Sequence, residues 1–296
     1  MAQFGNTIVQ REAERIRQTL RLNAENLGKI TSDGAEAFTF RTGGNIIEAS
    51  VSSKGEVKLF TFQKLPTNFD KQQIANSVCL LNLCLDFAKI VLSFDDGNVS
   101  LVAVFRYSDS IFSPTALCGW ENQFVKIAEI VFADVGKIAS GQNLEYVANA
   151  LCEVSGVGDR KSAIDCLSRF AECTEKRHWQ ALSDDGNLFL NVLSGSKCVN
   201  LSFTYSCDYS YILIVAVFPF GFVNCKAQCA TLVCRLNAEL QYGSLDFDSD
   251  TGKLFYRSGL PVAKCLIAES LCNEITDICC QEAFEVYDKL QSILLG

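Results

Sequence analysis

The residues of this chain most able to do chemistry are its 15 cysteines, of which four precede residue 155 and eleven follow it. A thiol becomes a nucleophile when a neighbouring base or positive charge lowers its pKa. The only histidine, His178, lies in the segment EKRHWQALSDDGN beside Trp179. No thiol is marked as activated by its sequence surroundings, so we interpret His178 as a surface or helix-capping residue. A Cys-dependent enzyme is the competing interpretation.

The cysteines do not have the spacing of a metal site. A structural zinc site needs clustered cysteine or histidine ligands, and the sequence contains no C-x-x-C motif. Cys225 and Cys229 have a helix-face spacing, whereas Cys279 and Cys280 are neighbours that point apart on a helix. A seven-residue spacing places Cys265 and Cys272 along one helix face with Cys279. We interpret the cysteines as free, small buried hydrophobes, with neither metal nor disulfides.

Two short segments have some features of ligand loops but depart from the required patterns. The acidic run from Asp246 to Gly252 does not complete an EF-hand, because the glycine is seventh instead of sixth and the twelfth residue is Arg257 instead of glutamate. We interpret it as a hairpin with acidic outward faces. The segment from Gly156 to Ser162 lacks the spacing of a P-loop and is interpreted as a linker. The sequence therefore predicts no enzyme and no cofactor.

Composition narrows the class of protein. The chain has 296 residues, is 49% hydrophobic and carries a net charge of −8, which disfavours nucleic-acid binding. This length is sufficient for two domains of ordinary size. The N-terminus lacks the pattern of a signal peptide, and the longest apolar run, Tyr211–Val223, is too short for a membrane span and contains Pro219. We expect a cytoplasmic protein without membrane insertion.

Two similar pentapeptides indicate an internal duplication. VCLLN ends at Asn82 and VCRLN ends at Asn237, an offset of 155 residues. The same offset, without gaps, aligns further apolar and turn residues: Leu85 with Leu240, Phe87 with Tyr242, Asp95 with Asp250, and Gly97 with Gly252. A register held over more than fifty residues predicts two tandem domains, residues 1–155 and 156–296.

The pattern predicts the same elements in each copy, in the order α-βββ-α-ββ-α. The first helices are expected at about Val9–Asn26 and Lys161–Glu172, and one long helix closes each copy. The hairpins turn at Gly97 and Gly252, and Gly243 is expected as a left-handed helix C-cap. Strand runs bracketed by helices are typical of an antiparallel α+β fold. The repeated Asn82 and Asn237 are expected to tie a helix end to a neighbouring backbone.

The segment Leu232–Leu260 resembles the YbjN-like bacterial proteins, often labelled sensory transduction regulators. The matching positions are Asn237, Tyr242, Gly243, Gly252, Tyr256 and Arg257. The resemblance covers about Gln228–Leu290. The first copy keeps Asn82, Phe87 and Gly97, but has Ala88 in place of the first glycine and Leu101-Val102 in place of Tyr-Arg, so it is degenerate.

The resemblance implies a fold similar to that of type III secretion chaperones, which are α+β homodimers that bind unfolded segments of other proteins. Two copies in one chain would then form an intrachain pseudo-dimer, consistent with a monomer in solution. This implies a non-catalytic module that binds a protein partner through an apolar groove or an exposed sheet face, with no partner-binding residue identified. The sequence is also compatible with a small-ligand sensor or with a purely structural subunit.

Overall fold

The computed structural model describes residues 2–21, 26–30, 36–42, 44–52, 55–184, 186–195, 197–221 and 226–295. Within them the protein is a mixed α+β structure with eight helices and two antiparallel six-stranded sheets. The prediction of an antiparallel α+β fold is confirmed at this level.

The first sheet is formed by the N-terminal half of the chain. Its elements are α1 (Ala2–Arg21), β1 (Asn26–Ile30), β2 (Glu36–Thr42), β3 (Asn45–Ser52), β4 (Glu56–Lys64), α2 (Lys71–Asn82), β5 (Ala88–Ser93), β6 (Asn98–Arg106) and α3 (Pro114–Phe132). The strands lie in the order β1-β2-β3-β4-β6-β5. The connection to the second half contains two short helices, α4 (Val135–Ser140) and α5 (Leu144–Cys152).

The second sheet has the same strand order. Its elements are α6 (Arg160–Lys176), β7 (Ala181–Asp184), β8 (Asn187–Ser194), β9 (Lys197–Tyr205), β10 (Tyr211–Gly221), α7 (Lys226–Glu239), β11 (Ser244–Asp248), β12 (Lys253–Pro261) and α8 (Glu269–Leu295). The order β7-β8-β9-β10-β12-β11 matches that of the first sheet, strand for strand.

The predicted element order was wrong in the number of strands before the second helix, which is four in each half. The missed strands are β1 and β7. In β1, Asn26 pairs with Thr39, although the sequence pattern placed Asn26 in a helix. All four residues of β7 are exposed, so this strand has no buried face and no hydrophobic alternation to reveal it.

The prediction of one closing helix in the first half was also wrong. The segment breaks at Ala133, and Asp134 then caps α4 by accepting a hydrogen bond of 3.1 Å from the backbone N–H of Lys137. The corresponding α8 continues without interruption for 27 residues. An Asp side chain competes well for free N–H groups at a helix start, which explains why the chain restarts here.

The hydrophobic core lies between the inner face of each sheet and the helices packed on it. Along β4, Val57 and Leu59 are fully buried, whereas Phe62 points outward and is exposed. The ring of Trp120 on α3 meets Phe105 on β6 edge to face, with centroids 4.7 Å apart. Burial of an aromatic side chain of this size contributes about 2–3 kcal/mol. Among the described helices, none combines the length and apolar character needed to cross a membrane.

Gly97, Gly243 and Gly252 lie in or just before the hairpins β5–β6 and β11–β12, and glycine is needed at these positions for two different reasons. Gly97 and Gly252 occupy the hairpin turns with φ of 63° and 71°, a left-handed conformation that favours glycine. Gly243 is not left-handed, so its predicted role as a C-cap was wrong. A Cβ on Gly243 would lie 2.2 Å from the ring of Tyr256, and glycine is required there for close packing.

Candidate functional site

The two halves meet along α2 and α7, which pack against each other. We call this contact, with the segments that follow the two helices, the seam. Its thiol contacts are reciprocal: Cys79 Sγ lies 3.7 Å from the carbonyl oxygen of Ala230, and Cys234 Sγ lies 3.8 Å from that of Ala75. Exchanging the halves converts one contact into the other, which is the pattern of a two-fold symmetric interface.

Asn82 and Asn237 make the same pair of hydrogen bonds in their respective halves. Asn82 Nδ2 donates to the carbonyl of Ile90 at 3.0 Å, and the N–H of Ile90 donates to Asn82 Oδ1 at 2.7 Å. Asn237 makes the equivalent bonds with Leu245, at 2.7 and 2.6 Å. Both side chains are buried, so each amide ties the end of its helix to the following strand. Their arrangement is structural, and neither faces an open cavity.

The C-terminal end of each seam helix receives a cation from the other half. Lys89 Nζ donates to the carbonyls of Asn237 (3.1 Å), Leu240 and Gly243 (3.0 Å) at the end of α7. Arg257 Nη2 donates to the carbonyl of Asn82 at the end of α2, at 3.0 Å. The last carbonyls of a helix lack partners within the helix and carry partial negative charge, so these cations stabilise both ends.

Asp246 completes this arrangement from inside the second sheet. It is fully buried, and it accepts hydrogen bonds from Arg257 Nε at 2.7 Å and from Ser244 Oγ at 3.1 Å. The expectation that the acidic hairpin faces outward is therefore wrong for Asp246, although Asp250 is exposed. Burial raises the pKa of the Asp246 carboxyl, and the neighbouring Arg257 opposes that shift.

Glu282 on α8 holds the turn after α7. Its carboxylate accepts hydrogen bonds from the N–H groups of Gln241 (2.9 Å), Tyr242 (2.9 Å) and Gly243 (2.8 Å). It also accepts one from the hydroxyl of Tyr256, at 2.8 Å. Tyr242 and Gly243 therefore serve to place the end of α7 where Lys89 can reach it.

The cavity within the seam is too small for a substrate, whereas a larger one of about 310 Å³ opens beside Gln241 and Glu282. The cavity beside Lys89, Tyr242 and Arg257 has a volume of about 10 Å³, enough for one water molecule. Burial lowers the pKa of Lys89 to about 8, while Glu282 and Asp246 oppose that shift. All three of the lysine's donors already bond to carbonyls, so this buried charge links the two halves.

The described cysteines are all free thiols, and the buried ones are poor nucleophiles. Burial raises the pKa of both Cys265 and Cys280 to about 12, which disfavours the reactive thiolate. His178 is exposed, with φ of 56°, just beyond the end of α6. No cluster of three or more potential metal ligands occurs among the described residues; Cys225 of the proposed helix-face pair lies outside them.

Several surface cavities of the described residues have volumes of about 300 Å³ or more, and two of them have more apolar than polar lining surface. The first, which we call the β7 groove, has a volume of about 410 Å³ and lies between α6 and the outermost strand β7. Its lining is apolar at Ile164, Leu167, Ala171 and Leu188, and acidic at Glu172 and Glu175.

The second, the α3–α5 groove, has a volume of about 570 Å³ and lies between α3 and α5. Apolar side chains of Ile130, Ile138 and Val147 line it, and Tyr146 stands at its edge, 77% exposed. Nothing in the sequence pattern pointed to either groove, because the grooves are created by the missed strand β7 and by the break between α3 and α4.

Comparison of the sequence with known protein families finds no matching family model, and no curated protein matches it. The functional interpretation therefore depends on the geometry. The residues that sequence reasoning missed are Lys89 and Glu282. A lysine within the otherwise apolar strand AKIVLS was the one signal for Lys89, since a buried charge needs partners.

Proposed function

We propose that the chain is a cytoplasmic, non-catalytic module that binds a protein partner, built from two tandem YbjN-like, secretion-chaperone-like domains. The domains would be residues 1–155 and 156–296, joined as an intrachain pseudo-dimer. The matching strand orders, the equivalent Asn82 and Asn237 bonds and the reciprocal thiol contacts support this proposal. The net charge of −8 disfavours nucleic acid as the partner.

The observation that carries the proposal is the open edge of the second sheet beside the β7 groove. Among the described strands, β7 pairs only with β8, so its outer backbone edge is available to a further strand. An extended peptide that adds to a sheet edge gains main-chain hydrogen bonds, and its alternate side chains enter pockets. Here Ser183 faces the groove, whereas Leu182 and Phe189 are exposed on the opposite face.

The groove defines the chemistry of the partner segment. Ile164, Leu167 and Ala171 lie at helical spacing on α6 and present an apolar floor to every second residue of an added strand. Glu172 and Glu175 border that floor, and both are exposed. Because the side chains of a strand alternate between its two faces, only every second side chain of the added segment meets the groove. We therefore commit to an extended segment of another protein whose groove-facing side chains are apolar over the floor and basic where they reach Glu172 and Glu175.

The test is peptide binding to the full chain by fluorescence anisotropy. A ten-residue peptide with threonine at every second position, and with valine followed by lysine at the groove-facing positions between, should bind with a dissociation constant on the order of 10 μM, as a single added strand would. Peptides with glutamate in place of lysine, or with a central proline, should bind at least tenfold more weakly. Replacing both groove acids, Glu172→Lys and Glu175→Lys, should reverse the charge preference.

The matched control is Tyr146→Lys, which adds a charge to the α3–α5 groove and should leave peptide affinity unchanged. Equal binding of the lysine and glutamate peptides would exclude the β7 groove as the site. Absence of binding to every extended peptide would refute the proposed partner class.

A small-ligand sensor is the second candidate, and the α3–α5 groove favours it. Its volume of about 570 Å³ lies within the usual range for small-molecule sites, and its lining is largely apolar. An uncharged apolar fluorescent probe such as Nile red should bind the native chain there and lose its signal in Tyr146→Lys. Unchanged probe binding in that variant would remove the support for a sensor.

A further inference from the structure

The second sheet carries exposed large apolar side chains on the side that faces away from α6 and α8. We call this surface, formed by the outward-facing side chains of β7–β10, the outer face. Its exposed apolar residues are Leu182 on β7, Phe189 and Leu193 on β8, and Val217 on β10. Single exposed apolar residues are common on protein surfaces, so what matters is whether these four form one patch.

Strand pairing makes these side chains parts of one surface. Directly paired residues of an antiparallel ladder lie on the same face, with their Cβ atoms about 5 Å apart. Leu182 is paired with Phe189, and the row continues through Ser202 to Val215. Val217 lies on the same face of β10 as Val215, because side chains alternate between the two faces of a strand. The apolar side chains therefore extend across all four strands.

The polar groups among these apolar side chains are almost all uncharged. Val217 is paired with Asn200, and Asn200 with Asn191. Among the described residues of β7–β10, the outer face has one charged side chain, that of Asp184 at a corner on the outermost strand. Lys197 belongs to the opposite face, where it bonds to α8. Apolar patches with few charges are typical of protein–protein interfaces.

The corresponding face of the first sheet has charges among its apolar side chains. Ile46 is paired with Arg41, and Glu48 lies two residues farther along β3. Phe62 precedes Val217 by 155 residues, and the two side chains are equally exposed, 51% and 52%. These two positions therefore allow a direct comparison between a charged and an uncharged sheet face.

We propose that the outer face is an interface between two copies of this chain, which pack face to face about a two-fold axis as a reversible homodimer. In such an interface each patch meets its own image, so a charge near the axis would lie close to a like charge. The uncharged outer face avoids this repulsion. Elsewhere the two copies, each with a net charge of −8, repel one another. A patch of this kind therefore fits a second copy of itself.

The size of the outer face predicts a weak association. Four strands about 4.8 Å apart, with up to eight or nine residues at about 3.3 Å each, cover roughly 400 Å². Stable complexes bury about 800 Å² per partner, so we expect a dissociation constant on the order of 100 μM. The β7 groove lies on the opposite face of β7, so the dimer leaves it open and does not depend on the proposed peptide binding.

Analytical ultracentrifugation of the full chain in dithiothreitol tests the interface. The average mass should rise from 32.6 kDa toward twice that value as the protein concentration increases from about 10 μM to about 1 mM. Raising sodium chloride from about 50 mM to about 500 mM should strengthen the association, because salt screens the repulsion between the two acidic copies. An association held by ion pairs would instead weaken.

Three exposed-site variants locate the interface. Val217→Lys places an unpaired charge in the apolar patch and should raise the dissociation constant about tenfold or more, and Leu193→Lys should do the same. Phe62→Lys is the matched control, because it changes the net charge equally at the equivalent position of the first sheet. Its dissociation constant should stay within about twofold of that of wild type. Far-ultraviolet circular dichroism checks that each variant is folded.

Thiol alkylation gives a second measurement that needs no variant. Cys198 is exposed and paired with Leu193 on the outer face, whereas Cys152 is exposed on α5. Between about 10 μM and about 1 mM protein, with the alkylating reagent in excess, the rate at Cys198 should fall by roughly a factor of four as the dimer forms. The rate at Cys152 should not change.

The proposal is overturned if the mass remains 32.6 kDa up to about 1 mM protein, a result that would leave the outer face to a different protein. It is also overturned if Phe62→Lys weakens the association as much as Val217→Lys does, or if added salt dissociates the dimer. Equal slowing of alkylation at Cys152 and Cys198 would likewise contradict the assigned surface.

Discussion

Lys89 in the first half of the chain donates a hydrogen bond of 3.1 Å to the carbonyl of Asn237 in the second half. The reciprocal bond runs from Arg257 to Asn82. The two acceptors are equivalent in the 155-residue register, but the donors are not, because Lys89 aligns with Ser244 and Arg257 aligns with Val102. The carbonyl groups at the C-terminal ends of α2 and α7 are thus both bonded to a cation from the other half, but the two cations occupy non-equivalent positions in the two copies.

Replacing Lys89 should weaken the seam strongly. Lys89→Met leaves three carbonyls at the end of α7 without their donor, and we expect the free energy of unfolding to fall by about 3 kcal/mol. Denaturation with guanidinium chloride measures this change. Lys64→Met, an exposed lysine on β4, is the control and should change stability by less than about 0.5 kcal/mol. Equal effects of both substitutions would contradict the role assigned to Lys89.

Breaking the buried ion pair of Asp246 and Arg257 should lower the free energy of unfolding more than breaking an exposed ion pair. Asp246→Ala leaves a buried guanidinium without its carboxylate, and we expect a loss of about 3–5 kcal/mol. Glu239→Ala removes the partner of Lys289 at the surface, where the expected loss is below about 1 kcal/mol. Urea denaturation of both variants gives the comparison.

A double-mutant cycle extends that test. Asp246→Leu combined with Arg257→Met removes both buried charges, so the double variant should lose less stability than the sum of the two single variants. Additive losses would indicate that Asp246 and Arg257 act independently, against the 2.7 Å contact between them.

The sequence pattern predicted secondary structure correctly where burial imposes an apolar period or where a turn requires glycine. The stripe of Ile74, Val78 and Leu81 predicted α2, and Gly97 and Gly252 marked the two hairpins that the structure contains. The antiparallel α+β architecture follows from these elements. In contrast, β7 is exposed along its whole length, so no hydrophobic period could reveal it.

The sequence pattern also could not predict which residues pair with the buried charges. Asp246 and Asp250 have the same residue type and lie in one acidic run, yet the former is buried and the latter exposed. That difference arises because Arg257, on the adjacent strand β12, turns inward to reach Asn82 across the seam. Long-range packing of this kind determines whether an aspartate side chain points inward or outward, and the spacing of residues in the sequence gives no information about it.

Removing either repeated asparagine should have nearly the same effect. Asn82→Ala and Asn237→Ala each leave a buried N–H and a buried carbonyl unpaired, so each should lower the free energy of unfolding by about 2 kcal/mol. Asn76→Ala, on the exposed side of α2, is the control and should have little effect. Thermal and chemical denaturation of the three variants provide the measurement; a large effect at only one of the two positions would argue against their equivalence.

Stability should fall at alkaline pH because the core is rich in buried thiols. Burial raises the pKa of Cys265 and Cys280 from the usual 9.0 to about 12, and also raises the pKa of Cys166, Cys272 and Cys279. Below pH 9 the folded and unfolded chains both keep these protons. Between pH 9 and about 12 the unfolded chain releases them while the folded chain retains them, so each buried thiol lowers stability by up to about 1.4 kcal/mol per pH unit.

Lys89 acts in the opposite direction, because burial lowers its pKa from 10.5 to about 8. Between those values the unfolded chain binds the proton that the folded chain has lost, so this one group favours folding as the pH rises. The larger number of thiols should still dominate. Chemical denaturation from pH 7 to pH 10.5 should show a decline that begins near pH 9 and becomes shallower in Cys280→Ala, whereas the exposed-site control Cys198→Ala should follow wild type. A pH-independent free energy of unfolding across that interval would show that the buried thiols ionise as readily in the folded chain as in the unfolded one.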